Sequence, residues 1–266
     1  MSELVKNLDA AIAKYIRPFT FPVGVKFMKE GEELPARTKV PTRDLGHPVA
    51  ICQGVSIARK YGWALGFYQQ DEACPIAQVI LGYKEEPDFI KDGSLCKPLY
   101  VCNDEAAVLT QSTTPKMPTA DTHCILLAPL QNWALEEDPD VVICYGNSAQ
   151  ITRFVQGALH FEGGYIESHF AGRGACGGEI TVPYTTGKCN VIIPGGGERI
   201  FALTGDDELA FAMPANKFQN VIDGLIATHK GGVARIPTPV AGVLDQPAFP
   251  KYYWDLETYC GLREEK

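Results

Sequence analysis

The chain has 266 residues, of which 45% are hydrophobic and 21% are charged, and its formal net charge is −8. This acidic balance argues against nucleic acid as a partner, because a phosphate backbone is bound by a basic surface. No apolar run approaches the roughly 20 residues that cross a bilayer, and the amino terminus lacks the pattern of a signal peptide. We therefore expect a cytoplasmic protein that does not bind membranes.

The first part of the chain predicts helices, one strand and a long irregular stretch. Apolar residues at helical spacing predict a helix near the amino terminus, and two further short helices that each end in glycine are expected at 52–62 and 74–84. The segment 21–28 predicts a strand. The proline-rich stretch 85–123 predicts mostly loop, with one strand at 99–102.

The second part of the chain carries an internal repeat, with units at about 124–161 and 189–229. Each unit predicts a strand, a loop, a second strand, a turn and a helix. The two units align at Asp140 with Asp207 and at Gly157 with Gly224. In this alignment the apolar positions of the first unit also match apolar positions of the second. Copies of this size usually pack in one sheet. We therefore predict a single α+β domain over residues 1–266, with a mixed sheet built partly from the duplicated strand–strand–helix unit, and a parallel α/β arrangement as the alternative.

The carboxyl-terminal segment 249–260 is rich in aromatic residues. An exposed aromatic surface of this size is unusual for a monomer. We expect the segment to pack on the core or on a second copy of the chain, and the second arrangement would make the protein a homodimer.

Nine cysteines need an explanation, and they stand at positions 52, 74, 96, 102, 124, 144, 176, 189 and 260. Their odd number and the missing export signal argue against a disulfide framework. The sequence also contains no C-x-x-C pair of the kind found in zinc ribbons and thioredoxins. The remaining roles are inert buried thiols, catalytic thiols, or metal ligands assembled from distant segments.

Cys52 and Cys74 each stand at the start of a predicted helix. Free amide groups and the helix dipole at that end favour a thiolate. Cys74 is followed by Pro75, and a Cys-Pro step also closes the cysteine runs of bacterial ferredoxins. Cys52 and Cys74 are therefore candidate metal ligands.

Cys176 lies in the segment "AGRGACGGEI", whose four glycines predict neither helix nor strand. Glycines let several amide groups point at one place, as sulfide, a thiolate or a phosphate requires. A second glycine-rich segment, "PGGGERI", follows at 194–200. The residues of these two segments that we expect to contact a cofactor or small anion are Arg173, Gly174, Gly177, Gly196 and Arg199.

Several motifs occur together in a fixed order: "PVGVKF", "CQGVSIAR", "CPIAQVILG", "DPDVVICYGNSAQ", "GRGAC", "TGKCNVIIPGGGER" and "DDELAFAMP". As a set they resemble the domain of unknown function 169 family of bacteria and archaea, over about residues 22–229. The resemblance implies that Cys52, Cys74 and Cys176 occupy the typical cysteine positions of that family. It also implies a further cysteine in the glycine-rich turn before Arg199, where this chain has Gly195–Gly197 instead.

Three hypotheses follow for the function. The first is a protein that binds a [4Fe–4S] cluster through Cys52, Cys74 and Cys176, and that transfers electrons to a redox partner or activates a small anionic molecule near Arg173 and Arg199. The second is a zinc- or thiol-dependent enzyme that uses the same cysteines with His169. The third is a metal-free protein whose glycine segments bind a small anion.

Overall fold

The computed structural model describes residues 1–97, 99–232, 235–236 and 251–261, and they form an α+β fold. The strands are β1 (Val23–Met28), β2 (Leu65–Phe67), β3 (Cys124–Pro129), β4 (Val141–Gly146), β5 (Asn190–Ile192) and β6 (Leu209–Pro214). The helices are α1 (Glu3–Tyr15), α2 (Ile51–Tyr61), α3 (Pro75–Ile80), α4 (Asp88–Lys91), α5 (Asp104–Ser112), α6 (Ser148–Leu159), α7 (Val182–Thr186), α8 (Gly196–Phe201), α9 (Phe218–Lys230) and α10 (Lys251–Tyr259). A π-helical turn, Gly177–Thr181, runs directly into α7.

The six strands form one sheet in the order β2-β3-β1-β4-β6-β5. Every neighbouring pair is antiparallel, with Val25 opposite Leu127 between β1 and β3, and Ile143 opposite Ala212 between β4 and β6. Parallel pairing in the described part of the chain is limited to two isolated bridges. The α+β class is therefore confirmed, whereas the sheet is antiparallel rather than mixed, and the parallel α/β alternative is wrong.

Both faces of the sheet are covered. One face packs against α1, α6 and α9, with Phe154 stacked on Phe211 at a ring distance of 4.9 Å. The opposite face packs against α2, α3 and the π-helical turn, and we call it the thiol face because Cys74 and Cys176 lie on it. Residues of β3 and β4 are buried on both sides, so these strands are apolar at nearly every position.

Helices α6 and α9 cross at two glycines. A Cβ atom on Gly224 would lie 1.9 Å from the carbonyl oxygen of Gly157, so neither position has room for a side chain. Gly157 and Gly224 are the aligned glycines of the two sequence units. The strand before α6 is β4 and the strand before α9 is β6, and these two strands are antiparallel neighbours.

The first strands of the two units differ in their placement. Strand β5 pairs directly with β6, whereas β1 lies between β3 and β4. The insertion of β1 makes β3 parallel to β4, while β5 is antiparallel to β6. The two units therefore share their strand, turn and helix but not the position of their first strand.

Two local predictions are wrong. Residues 99–102 form turns and bends rather than a strand, and helix α5 follows because the Asn103 side chain accepts the amide of Ala106 at 2.8 Å. The glycine-rich segment around Cys176 enters a helical turn, since Gly177 and Gly178 adopt helical geometry.

The aromatic carboxyl-terminal segment is helical in its described part. Tyr252 and Tyr259 of α10 are exposed at their side chains. Residues 249–250 lie outside the described residues. Packing of this segment on a second copy stays a prediction.

Candidate functional site

The structure brings Cys52, Cys74 and Cys176 together on the thiol face. Cys52 is the second residue of α2, Cys74 directly precedes α3, and Cys176 directly precedes the π-helical turn. Burial is the largest cause of the raised pKa of Cys176, and the thiols of Cys74 and Cys52 raise this pKa further. The three sulfurs therefore lie close enough to interact electrostatically. All three are partly exposed. Thiols from three distant segments of the chain therefore lie in one region of the molecule.

Glu72 joins the starts of the two helices that carry Cys52 and Cys74. Its two carboxylate oxygens accept the backbone amide of Ile51 at 2.8 Å and that of Cys74 at 2.6 Å. Burial raises the pKa of Glu72 to about 8, although these two amides act in the opposite direction. The carboxyl group thus fixes α2 and α3 relative to each other with a single side chain.

Burial, rather than the helix ends, dominates the acidity of the three thiols. Burial raises the pKa of Cys52 to about 12, with further contributions from Glu198 and Glu179. At Cys74 burial also raises the pKa, against the amides of Ala77 and Ile76 in the first turn of α3. The amides at the start of α3 do lower the pKa of Cys74, as the helix start predicts, but burial outweighs them, so in the metal-free protein this thiol is less acidic than a free cysteine.

Beneath the thiols lies a buried hydrogen-bonded group of one tyrosine and two carboxyls. The hydroxyl of Tyr145, at the end of β4, is 2.5 Å from Oε1 of Glu179 and 2.5 Å from Oε1 of Glu198. A phenol has one proton, so it can donate to only one of the two carboxyls and must accept from the other. One carboxyl of this pair is therefore protonated.

The surroundings of Glu179 favour its protonated form. Its side chain is fully buried, and its Oε2 atom has no hydrogen-bond partner among the described residues. Burial and then Glu198 raise the pKa of Glu179 well above its usual range. Glu198 instead accepts the amide of Gly195 at 3.3 Å with its second oxygen.

Arg59 places a positive charge beside the Tyr145 ring. Its guanidinium group lies 4.0 Å from the centre of the Tyr145 ring and forms two hydrogen bonds with Glu208, at 2.6 and 2.9 Å. The side chain is 1% exposed. A buried arginine with a paired carboxylate is held rigidly, so Arg59 fixes the position of the Tyr145 ring.

The two glycine-rich segments contact each other next to the thiols. Gly196 donates its amide to the carbonyl of Gly172 at 3.1 Å, and a Cβ atom on Gly195 would lie 2.9 Å from the same oxygen. Gly174 adopts a positive φ of 61°, and a Cβ on Gly177 would lie 2.8 Å from the Pro115 carbonyl. These glycines allow close packing of backbone around Cys176.

The two arginines expected to bind a small anion are engaged by the protein itself. Arg173 donates to Thr114 and Gln111, both at 3.1 Å. Arg199 donates to the carbonyl of Gly205 at 3.1 Å and pairs with Asp206. Besides burial, the groups that raise the pKa values of Cys52 and Cys176 are carboxyls and the other thiols of the set.

The other sulfur and imidazole candidates lie in different settings. Cys96, Cys124 and Cys144 are buried, and Cys102 and Cys260 are exposed. Cys189 is partly exposed but packs with the opposite face of the sheet. His169 is exposed, and its ring faces Glu167 at 3.6 Å.

Four site residues escaped the sequence reasoning: Glu72, Tyr145, Glu179 and Glu198. Single carboxyls spread over more than a hundred residues form no spacing motif. The available signals were weak ones, such as a tyrosine within an apolar strand and an acid directly after the glycines that flank Cys176.

The spacing of these groups bears on the kind of metal they could hold. No three His, Cys, Asp or Glu side chains within the described ranges are placed to hold one metal ion. Sulfurs around a single zinc stand about 3.8 Å apart, given a Zn–S bond near 2.3 Å in a tetrahedron. In a cluster, each thiolate binds a different iron, so the sulfurs stand farther apart.

The fold and the site define an α+β protein with a partly exposed set of thiols above a buried layer of carboxyls. The chain belongs to the domain of unknown function 169 family, whose model, described as Uncharacterised ArCR, matches residues 11–224. Searches of curated proteins and of solved structures gave no significant match. None of the described helices is both long enough and apolar enough to span a membrane.

Proposed function

We propose that the protein binds a [4Fe–4S] cluster through Cys52, Cys74 and Cys176 and serves in electron transfer. The observation that carries this proposal is the approach of three partly exposed thiols from segments far apart in the sequence. Other cysteines of the chain are either buried or lie away from this group, so the three form a distinct set.

The residues around the thiols fit such a group. Thiolates are the usual ligands of cubane clusters, and backbone amides near the sulfurs tune their potential. The glycine segments around Cys176 leave backbone unshielded by side chains, and Gly196 has no atom within 4 Å of the position that a Cβ would take. When bound, the cluster would supply one-electron redox chemistry.

The chain's own residues would have two tasks. Glu72 would hold the segments of Cys52 and Cys74 at a fixed separation, since it bonds the start of each helix. The shared proton of the Tyr145 group would reduce the negative charge beneath a cluster of thiolates. Arg173 and Arg199 are already engaged by protein groups and offer no free charge to an anion. Activation of a small anionic molecule is therefore the weaker form of the proposal.

The test is metal and sulfide analysis of protein purified and reconstituted without air. We expect a brown protein with about four irons and four sulfides per chain and a charge-transfer band near 400 nm. Single exchange of Cys52, Cys74 or Cys176 to serine should lower the iron content and change the spectrum. The matched control is Cys189→Ser, since Cys189 is also partly exposed but lies on the opposite face.

The alternatives have separate outcomes in the same experiment. Zinc near one per chain without sulfide would support a zinc- or thiol-dependent enzyme. Protein free of iron and zinc would contradict both metal proposals, and a metal-free protein that binds small anions would remain. Iron retained at full level in the protein with all three cysteines replaced would also overturn the cluster site.

A further inference from the structure

A cavity opens on the face of the sheet opposite the thiols. Its volume is about 430 Å³, within the usual range of about 300–1,000 Å³ for small-molecule sites. Its floor includes Leu126 and Ala128 of β3, which belong to the layer shared with α1, α6 and α9. The loop at residues 35–39 and the segment after α2 form its walls. We call it the Lys39 cavity.

Positive charge lines this cavity without a matching carboxylate. Arg37 and Lys39 both line it, and none of the described residues that line it is an aspartate or a glutamate. Arg37 forms no ion pair or hydrogen bond within the described structure. The nearby carboxylate of Asp44 is already bound by Arg43 at 2.7 Å and by the amide of Val40. Arg37 is exposed at the opening and Lys39 is half-buried near Asp44, in a chain whose net charge is −8.

The local structure holds these groups around the opening. The Lys39 ammonium lies 4.4 Å from the centre of the Trp63 ring, which leaves its charge available at the aromatic wall. Arg37 adopts a positive φ of 70°, a conformation that is costly for a residue with a side chain. The buried hydroxyl of Thr38 has no hydrogen-bond partner in the described structure.

We propose that the Lys39 cavity binds an organic anion with an apolar or aromatic body, of the carboxylate, sulfonate or phosphate-ester class. The cations at residues 37 and 39 would pair with the acidic group, and the body would contact Trp63, Leu126 and Ala128. This proposal is independent of the thiols, since the cavity lies on the other face of the sheet.

The test uses 8-anilinonaphthalene-1-sulfonate, an aromatic anion, and its uncharged analogue N-phenyl-1-naphthylamine. Each is titrated into the full-length protein while probe fluorescence and energy transfer from tryptophan are recorded. We expect saturable binding of one sulfonate per chain and at least tenfold weaker binding of the uncharged analogue, because a hydrogen bond to a charged group contributes strongly when desolvated.

The variants Arg37→Gln and Lys39→Gln should each weaken sulfonate binding about tenfold or more, and Trp63→Leu should reduce the energy transfer. The control is Lys188→Gln, which removes the same charge from a second cavity of about 330 Å³ that Glu162 and Glu167 also line. Equal affinity of the Lys39→Gln and Lys188→Gln proteins would overturn the proposal. So would equal binding of the two probes to the unmodified protein, or no saturable binding at all.

Discussion

The hydroxyl of Tyr145 and the carboxyl of Glu179 form a 2.5 Å hydrogen bond in the buried layer beneath the thiols. Glu198 approaches the same hydroxyl from another side at the same distance. The single phenolic proton cannot satisfy both carboxyls, so a second proton must be retained in this group. The protein therefore keeps a neutral carboxylic acid in its interior at a pH at which free glutamate is ionised.

Replacing the two members of this pair should have unequal effects on stability. Tyr145→Phe removes the bridging hydroxyl and leaves two buried carboxyls facing each other, which should lower the free energy of unfolding by about 1–3 kcal/mol. Glu179→Gln should cost less, since an amide resembles the neutral acid and still donates a hydrogen bond. Urea unfolding at pH 7 measures both. A Glu179→Gln protein as unstable as Tyr145→Phe would contradict a protonated Glu179.

The metal-free protein should lose stability as the pH rises from about 4.5 to about 8. Burial raises the pKa of Glu72 from its ordinary 4.5 to about 8 in the folded state. Between these values the folded chain keeps a proton that the unfolded chain has released, so a rise in pH favours unfolding. The loss should be a few kcal/mol, since one pKa unit corresponds to about 1.4 kcal/mol.

Glu72→Gln tests this assignment. The amide cannot ionise, so the slope of stability against pH should become shallower, while the loss of one acceptor lowers stability at pH 5. The measurement is urea unfolding at pH 5, 6, 7 and 8 in the presence of a chelator. An unchanged slope would show that Glu72 is not the group responsible.

The thiols of the site should react slowly with iodoacetamide at neutral pH. Burial and the neighbouring carboxyls raise the pKa values of Cys52, Cys74 and Cys176, and only the thiolate is nucleophilic. Exposed Cys102 provides an internal reference in the same sample. Mass spectrometry of the peptides gives the rate at each position.

At pH 9, above the pKa of about 8 of Glu72, Glu72→Gln should accelerate the alkylation of Cys74, because the ionised carboxylate contributes to the raised pKa of that thiol. The rate at Cys102 should stay the same in both proteins. If Cys74 reacted as fast as Cys102 in the unmodified chain, the neutral state of the site thiols would be refuted.

Gly224→Ala should destabilise the fold strongly. The added methyl group would lie 1.9 Å from the Gly157 carbonyl, and a backbone atom on a packed helix cannot move aside cheaply. We expect a loss of about 3 kcal/mol or more, at the upper end of overpacking effects. Gly197→Ala in α8 is the control, since its nearest atom would be 3.8 Å away and alanine favours a helix. Similar melting temperatures of the two variants would disprove the close crossing of α6 and α9.

The sequence was informative where local rules decide the outcome. Pro75 and the apolar spacing predicted a helix that begins next to Cys74, and α3 begins there. The aligned glycines Gly157 and Gly224 indicated matching helices but not that the two would touch. The apolar strands left parallel pairing open, because both faces of this antiparallel sheet are covered and the usual polar alternation is lost.

The carboxyls of the site could not be found in this way. Glu179 and Glu198 have a role only because the π-helical turn, α8 and the end of β4 meet in space. The raised pKa values of the thiols also depend on tertiary burial, which outweighs the local effect of a helix start. The positions of the cysteines along the chain indicated which of them to examine. Their protonation states could be predicted only from the three-dimensional structure.

The two hydrogen bonds that Glu72 accepts from Ile51 and Cys74 affect how strongly a bound cofactor would constrain the unfolded chain. These bonds hold residues 51–52 and residue 74 next to each other. A cofactor that links them to Cys176 would therefore close a loop of about a hundred residues. Closing a loop of that length in the unfolded chain costs several kcal/mol of entropy, as for a disulfide of similar span. A cofactor shared by the three sulfurs would thus act as a removable cross-link between the first and second parts of the protein.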